Sequence, residues 1–177
     1  MVLEIICVLF MVVIIAGFIN NVENCYYKKK EDKKNKNVVN MSFKEAMDLV
    51  ELPVVTFYNS NVKLNFLLDT GSNISQINAS ILPLLNYKMI EDKTNAVIGI
   101  EGSKMQTGFC EMSITYKNQD FTNDFCIHNL DEAFAIVKEE SGVQIHGILG
   151  SLFFQKYKYI LDYESLIAYS KEDTRKK

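Results

Sequence analysis

A carboxylate ends an apolar, strand-like run in the segment FLLDTGSNISQI, which spans residues 66–77. Leu64, Phe66 and Leu68 recur at every second position, and this two-residue period predicts a strand that stops just before Asp69. An acid at the end of a buried strand is costly unless it is hydrogen-bonded or paired. We therefore expect Asp69 to have a chemical role.

The residues before this segment predict a short helix followed by a β-hairpin. Residues 41–51 carry apolar side chains at helical spacing, with Ser42 as a candidate N-cap and Glu45 three residues later. The strand-like runs PVVTFY and VKLNFLLD flank the turn at 59–61, whose small polar residues favour a tight hairpin. Asp69 thus follows the second strand of a predicted hairpin.

The residues after the segment predict mainly strands. A short helix or turn is broken at Pro83, and glycines punctuate a hairpin over residues 97–108. A second hairpin turns at Asn118–Asp120, and a helical pattern covers Leu130–Ser141. Residues 142–170 predict a strand, a Gly turn, a short helix and two closing strands. The body is therefore expected to be mostly β, with one or two short helices.

The first 22 residues predict a membrane anchor. Residues 5–19 carry no charge, and a helix needs roughly 17 to 25 apolar residues to cross a bilayer, so the span must include apolar neighbours on both sides. A cleaved secretory signal is the alternative, but it should begin with positive charge, whereas Glu4 is the only early charge. We expect a single-pass transmembrane helix over residues 1–22.

A lysine-rich linker, residues 23–40, follows the predicted anchor and contains six Lys between Lys28 and Lys36. Lysine next to an apolar span marks the cytoplasmic side of a membrane, so we expect the body of the chain in the cytoplasm. It would instead be exported if the first segment were a cleaved signal. The same lysines also suit a solvated, extended linker.

The body of the chain is acidic, with nine Lys and no Arg against sixteen Asp or Glu between Asn40 and Ser170. Phosphate binding needs Lys and Arg to replace counterions, so we expect no nucleic acid partner. The whole chain has 177 residues, of which 48% are apolar, and this is enough for one globular domain but not for two large lobes. We expect the domain over residues 41–170 and a polar tail over residues 171–177.

The cysteines and histidines form no recognised metal-binding pattern. The four cysteines include no CxxC pair, and the two histidines belong to no motif. A zinc site from Cys110, Cys126, His128 and His146 is conceivable but lacks the usual ligand spacing. We expect no metal and no cofactor, and we expect Cys110 and Cys126 to be buried, reduced side chains.

Two motifs resemble those of aspartic proteases. The tripeptide Asp69–Gly71, which follows an apolar run and precedes Ser72, resembles their active-site signature of two apolar residues, Asp, Thr or Ser, Gly, then Ser or Ala. The segment GILGSLFFQKYKYILDYESLIAYS, residues 147–170, resembles their second hallmark, an apolar-apolar-Gly segment that enters a short helix and then a strand hairpin. The resemblance covers residues 53–170 and implies a single lobe of that fold.

The chain contains a single D-T/S-G motif. Pepsin-like enzymes carry two lobes and two such motifs in one chain, whereas retropepsins have one lobe per chain and build the site across a two-fold axis. The resemblance therefore implies a retropepsin-like lobe, a closed, barrel-like β fold, that forms a homodimer with one Asp69 from each copy. Two carboxyls about 3 Å apart share one proton and together activate water and protonate a carbonyl. The implied activity is an aspartic endopeptidase that acts on a peptide or protein substrate.

The resemblance also implies roles for residues near Asp69. Thr70 should brace the opposite loop, Gly71 should donate its N–H to the carboxylate, and Ser72 should hydrogen-bond the outer Asp oxygen. The hairpin at 97–108 corresponds by position to the flap that closes over substrate. Its candidate residues are Gly99, Glu101, Gly102 and Ser103.

Two other functions are compatible with parts of the sequence. A lobe of this fold can serve as a catalytically inactive dimerisation or peptide-binding module at the membrane, with the D-T-G loop kept as a turn. A serine hydrolase at Ser72 or Ser151 would need a nucleophile elbow and a paired histidine, and the sequence has neither pattern. Peptide cleavage that depends on Asp69 distinguishes the protease from both.

Overall fold

The computed structural model of the chain describes residues 41–98 and 104–171, and it describes side-chain burial over residues 41–91 and 108–171. The predicted anchor, the lysine-rich linker and the tip of the predicted flap lie outside the described residues, as does the tail beyond Lys171. Within the described ranges, no helix is both long and apolar enough to cross a membrane.

Strands dominate the part of the chain that the structure describes. Its nine strands are β1 (Val54–Asn59), β2 (Val62–Leu68), β3 (Ser75–Asn78), β4 (Lys88–Ile98), β5 (Lys104–Tyr116), β6 (Gln119–His128), β7 (Gly147–Leu149), β8 (Tyr159–Asp162) and β9 (Ile167–Ser170). Its helices are α1 (Phe43–Val50), α2 (Ala135–Ser141), α3 (Ser151–Tyr157) and a 3₁₀ helix at Ala79–Leu84. The predicted mostly-β body is confirmed, although the described residues form three short α-helices rather than one or two.

Six of these strands close into a ring. Their order is β1-β2-β7-β3-β6-β5, and β5 pairs back onto β1 where Thr115 lies opposite Tyr58. β4 extends the sheet beyond β5, while β8 and β9 form a separate two-stranded sheet. Closure of the ring removes the free edges of an open sheet, so the fold is the closed, barrel-like one that the family resemblance implies.

Local sequence signals account for the first helix and the two tight hairpins. The Ser42 hydroxyl accepts from the Glu45 N–H at 3.3 Å, and the Glu45 carboxylate accepts from the Ser42 N–H at 2.9 Å, which completes the predicted capping box. β1 and β2 pair around Ser60, whose φ of 53° is left-handed. The second hairpin turns at Lys117 and Asn118, one residue earlier than predicted. Both residues adopt the positive φ that a two-residue turn requires.

The predicted helix over Leu130–Ser141 forms in its second half, where α2 begins at Ala135 after a run of turns. Tertiary contacts hold the first half in another conformation. The Asp131 carboxylate accepts from Asn78 Nδ2 at 2.7 Å and from the Ser80 hydroxyl at 3.1 Å, which ties this segment to the end of β3. These side-chain bonds compete with helix formation at the same residues.

β7 lies between β2 and β3 and thereby determines the position of the loop that joins them. β2 runs parallel to β7, with Phe66 opposite Gly147, and β3 runs antiparallel to it, with Gln76 opposite Ile148. The chain that leaves β2 must therefore pass the end of β7 before it returns as β3. A Cβ atom at position 147 would collide with the Gln76 carbonyl and the Phe66 ring, so this close approach requires glycine.

An aromatic core connects the strands to α3. Phe57, Phe66, Phe121 and Phe153 are fully buried. The ring centroids of Phe57 and Phe66 lie 5.9 Å apart, and those of Phe121 and Phe153 lie 5.4 Å apart. Burial of each ring contributes about 1.5–3 kcal/mol. Because Phe153 belongs to α3, this packing fixes α3 to the strands.

Candidate active site

Asp69 is the first residue after β2, and three hydrogen bonds define its position. Its N–H donates to the Leu149 carbonyl at 3.0 Å, which continues the pairing of β2 with β7 by one residue. Its Oδ1 accepts from the Gly71 N–H at 2.9 Å, and its backbone carbonyl accepts from the Ser72 N–H at 3.3 Å. The carboxylate is therefore fixed at the end of a strand by its own loop.

Gly71 lies close to this carboxylate. A Cβ atom at position 71 would lie 3.2 Å from Asp69 Oδ1, so a side chain there would crowd the oxygen that the Gly71 N–H binds. Thr70 and Gly71 are exposed, and Asp69 is half-buried. The loop thus presents a carboxylate to solvent while one of its oxygens stays bound to the backbone.

The N-terminus of α3 is capped by the second half of the same loop. The first N–H groups of a helix have no partner within the helix. Here the Ser151 N–H donates to the Ser72 carbonyl at 2.7 Å, and the Leu152 N–H donates to the Asn73 carbonyl at 3.2 Å. The Ser72 hydroxyl donates to the Ile74 carbonyl at 2.9 Å. The loop and α3 therefore satisfy each other's backbone groups.

Gly150 lies where the loop and α3 approach most closely. Its N–H donates to the buried Ser75 hydroxyl at 3.2 Å. A Cβ atom at position 150 would lie 2.7 Å from the Ile74 carbonyl oxygen and 2.8 Å from that of Ser72, which real Cβ atoms do not tolerate. The apolar-apolar-Gly segment that carries part of the family resemblance is thus the surface on which the Asp69 loop rests.

This arrangement suits proton transfer to and from water. A carboxylate bound to one backbone N–H keeps a fixed orientation, and among the described residues no other group donates a hydrogen bond to it. A general base must lie within hydrogen-bonding reach of the proton it removes, and a half-exposed carboxylate meets that condition for a bound water. One such group supplies either the acid or the base of a water attack, but not both at once.

Comparison of the sequence with protein-family models gives no match, and comparison with curated proteins gives none. Solved structures do match. The EIAV protease complexed with the inhibitor HBY-793 is 19% identical with a TM-score of 0.43, over 59% of this chain and 86% of that one. The retroviral protease-like domain of Ddi1 from Leishmania major is 11% identical with a TM-score of 0.46, over 68% of this chain and 88% of that one. The chain is similar to both proteins over part of its length.

The predicted site residues differ in how the structure places them. Asp69, Thr70, Gly71 and Ser72 form one loop, and the Gly71 N–H makes the contact with the carboxylate that the resemblance implies. The Ser72 hydroxyl donates within the loop, to Ile74, rather than to the Asp69 carboxylate. The bracing role of Thr70 concerns a second copy and stays a prediction.

The predicted flap hairpin forms along its two strands. β4 and β5 pair antiparallel up to Ile98 opposite Lys104, and the candidate flap residues between them lie outside the described residues. Residues 91–94 of β4 stand opposite the single residue Gly108 of β5, which interrupts the regular register. Extra residues in one strand bend and twist a hairpin, so this one is not a flat ribbon.

The conceivable zinc site is not assembled around the two buried cysteines. Cys110 lies opposite Phe125 and Cys126 lies opposite Phe109, so the two thiols project from opposite faces of the β5–β6 pair. Both are buried and neither forms a disulfide, and burial raises the pKa of the Cys110 thiol to about 11. In this part of the chain, these cysteines pack as small apolar side chains.

The sequence indicates no supporting role for three polar residues that hold the loop in the structure: Ser75, Asn65 and His146. Ser75 and Asn65 are buried in strands, and His146 immediately precedes β7. Polar residues beside apolar ones also occupy solvent-facing positions, so nothing in the sequence separates these three from such positions.

Proposed function

We propose that this chain is an aspartic endopeptidase whose active site is completed when two copies associate. The observation that carries the proposal is the Asp69 loop, in which a half-exposed carboxylate at the end of β2 is fixed by the Gly71 N–H and the loop is held by α3. The resemblance of its D-T-G sequence to the aspartic protease signature supports the same function.

The proposed reaction uses two Asp69 carboxyls that share one proton. The ionised carboxylate removes a proton from water as the water oxygen bonds to the peptide carbonyl carbon, and the protonated carboxyl donates its proton to the carbonyl oxygen. The tetrahedral gem-diol then collapses: the C–N bond breaks, and the leaving nitrogen takes the proton that came from water and is now on the first carboxyl. One hydroxyl of the diol becomes the new carbonyl and returns its proton to the carboxylate that donated one in the first step. The products are a carboxylic acid and an amine, and the pair of carboxyls returns to its original state.

A second copy is needed because the sequence has one D-T-G motif. Two-fold association brings the same loop from each copy to the axis, and it supplies the acid and the base from identical residues. Exposure of Thr70 and Gly71 leaves the loop accessible for that contact. The substrate is a peptide or protein segment, and the β4–β5 hairpin is the proposed flap over it.

We also propose that residues 1–22 anchor the protein in a membrane and that lysines 28–36 keep the domain on the cytoplasmic side. These proposals rest on the apolar run and on the lysine excess next to it. Anchoring confines the copies to a surface and raises their effective concentration, which favours association of a weak dimer.

The test is cleavage of a diverse peptide mixture by the wild-type chain and by Asp69→Asn. Asn neither shares the proton nor activates water, so Asp69→Asn should lose cleavage by about two orders of magnitude or more while the protein stays folded. Asp48→Asn is the matched control, since Asp48 is exposed on α1. It should cleave like wild type.

Undiminished cleavage by purified Asp69→Asn would contradict the proposal. A wild-type chain that dimerises but cleaves no peptide, at acid and at neutral pH, would identify an inactive dimerisation or peptide-binding module instead. Mass spectrometry of the peptide mixture and light scattering of the protein report these two outcomes separately.

A further inference from the structure

His146 connects β2 and β3 immediately before β7 begins. Its N–H donates to the Asn65 carbonyl of β2 at 2.8 Å, and its carbonyl accepts from the Asn78 N–H at the end of β3 at 2.8 Å. Its ring Nδ1 accepts from the Asn65 N–H at 3.0 Å. Both backbone polar groups of Asn65 are thus satisfied by the same histidine.

Both polar atoms of the Asn65 side chain have partners elsewhere. Its Nδ2 donates to the Gln144 carbonyl at 2.9 Å, and its Oδ1 accepts from the Thr56 hydroxyl at 2.7 Å. Asn65 is buried, so its backbone N–H would have no water molecule as a replacement acceptor if it lost the imidazole. The imidazole is therefore the acceptor that keeps this end of the β2–β7 pairing intact.

The same two segments hold the candidate active site. Asn65 lies four residues before Asp69, and His146 lies three residues before Leu149, whose carbonyl accepts from the Asp69 N–H. The hydrogen bonds from Asn65 to Asp69 form one continuous ladder. Loss of the hydrogen bond at Asn65 weakens the start of this ladder and so reduces the support that the ladder gives to Asp69.

The proton on His146 decides whether this bond exists. A backbone N–H can donate but never accept, so ring Nδ1 must be unprotonated to bind it. An imidazolium carries protons on both ring nitrogens and has no acceptor left. Proton uptake would therefore break the bond and place two N–H donors against each other.

The surroundings of the ring oppose its protonation. Burial disfavours the charged form, and the positive charge of Lys138 on α2 adds to this, so the pKa of His146 lies below its ordinary value of 6.5. The groups that face the residue from β2 and β3 are uncharged, namely Asn65 and the Asn78 backbone. The Asp131 carboxylate, which follows β6, is bonded to Asn78 Nδ2 and to Ser80.

The sign of the pH effect follows from this direction. In the unfolded chain a histidine side chain has a pKa of about 6.5. As the pH falls through that value, the unfolded chain takes up a proton that the folded chain does not, so the free energy of unfolding decreases. The contribution of neutral His146 is complete above that pH and is lost progressively in acid.

We propose that His146 is a positioning residue for the Asp69 loop and makes the site sensitive to acid, because its neutral imidazole holds β2 beside β7 and proton uptake releases that pairing. The link to catalysis rests on the protease function proposed above. The role of His146 in the pairing of β2 with β7 is independent of the protease function.

The experiment compares the full chain with three variants. His146→Asn keeps a side-chain oxygen that can accept the Asn65 N–H but does not titrate, and His146→Leu removes the acceptor at every pH. His128→Asn is the matched control, because His128 is the other of the two histidines in the chain. Amide hydrogen exchange at Asn65 and Asp69, corrected for intrinsic rates, is measured near neutrality and at successively lower pH values, down to the lowest pH at which the chain remains folded.

In wild type and in His128→Asn, protection of both amides should fall by roughly tenfold on acidification, the size expected for one lost hydrogen bond. In His146→Asn protection should change much less over the same pH range, and the difference in Tm between neutrality and the lowest pH should shrink in the same way. An equal loss of protection in His146→Asn and wild type would overturn the proposal. Failure of His146→Leu to fold would leave this comparison intact.

Catalysis separates the two proposals. If the chain cleaves peptides, kcat of the wild type should fall more steeply in acid than kcat of His146→Asn, and equal profiles would contradict the positioning role. If the chain cleaves nothing at any pH, the protease function fails, while the exchange measurement still decides whether His146 controls the strand pairing.

Discussion

The backbone N–H of Asp69 donates to the carbonyl of Leu149 at 3.0 Å, which joins the first residue of the candidate catalytic loop to the last residue of β7. The next residue along, Gly150, donates to Ser75 at the other end of that loop. Both ends of the loop are therefore held by two consecutive residues from the second half of the chain. Changes at positions 149–151 should act on the active site although they lie far from it in sequence.

Gly150→Ala should destabilise the protein and reduce any cleavage activity. The added Cβ would lie 2.7 Å from the Ile74 carbonyl oxygen, so the loop or α3 must move. Overpacking of this kind costs about 1–3 kcal/mol, which urea unfolding of the variant and the wild type would measure.

Gly108→Ala is the control for that experiment. Its Cβ would meet Met89 Cε at 3.5 Å, an ordinary van der Waals distance at the end of a flexible side chain. Its free energy of unfolding should change by less than about 1 kcal/mol. Equal destabilisation by both variants would show that the close contact at Gly150 has no special importance.

Ser75→Ala should leave the Gly150 N–H without its acceptor. Ser75 is buried, so loss of the hydroxyl should cost about 1–3 kcal/mol in the free energy of unfolding. Ser113→Ala removes a hydroxyl that bonds Thr122 at an exposed position, and it should cost less than about 0.5 kcal/mol. Chemical denaturation of the two variants side by side measures the difference, and similar costs would argue against a structural role for the Ser75 hydroxyl.

The features that the sequence predicts correctly are those that depend on near neighbours. The capping box of α1 needs Ser42 and Glu45 alone, and the β1–β2 hairpin follows from a two-residue period on either side of a small polar turn. The sequence also reveals the D-T-G loop, because the apolar strand and the acid that ends it are adjacent in the chain.

The features that the sequence does not predict depend on residues far apart. Insertion of β7 between β2 and β3 rests on Gly147 fitting against Phe66 and Gln76, and no local pattern reveals it. The helix predicted from Leu130 begins at Ala135 because contacts made by Asp131 occupy the intervening residues. The hydrogen bond between His146 and Asn65 likewise exists only in the folded chain.

Cys110 and Cys126 should react slowly with thiol reagents in the native protein. Both are buried, the pKa of Cys110 is raised to about 11 by burial and by the nearby Asp124, and the thiolate is the reactive form. Alkylation near pH 8 followed by peptide mapping should label both residues much faster in denaturant than in the native state. Rapid native labelling, or a disulfide between the two residues, would contradict the burial and the opposed orientation of the thiols.

The most direct test of a site shared between two copies is the activity of wild-type chain mixed with excess Asp69→Asn chain after the subunits have exchanged. Each mixed dimer holds one functional and one inactive carboxyl, so random association with a ninefold excess of variant should lower activity per wild-type chain to about one tenth. The same excess of Asp48→Asn chain should leave that activity unchanged. If activity per wild-type chain stays constant in the presence of excess Asp69→Asn, each chain contains a complete site, and the shared Asp69 site is wrong.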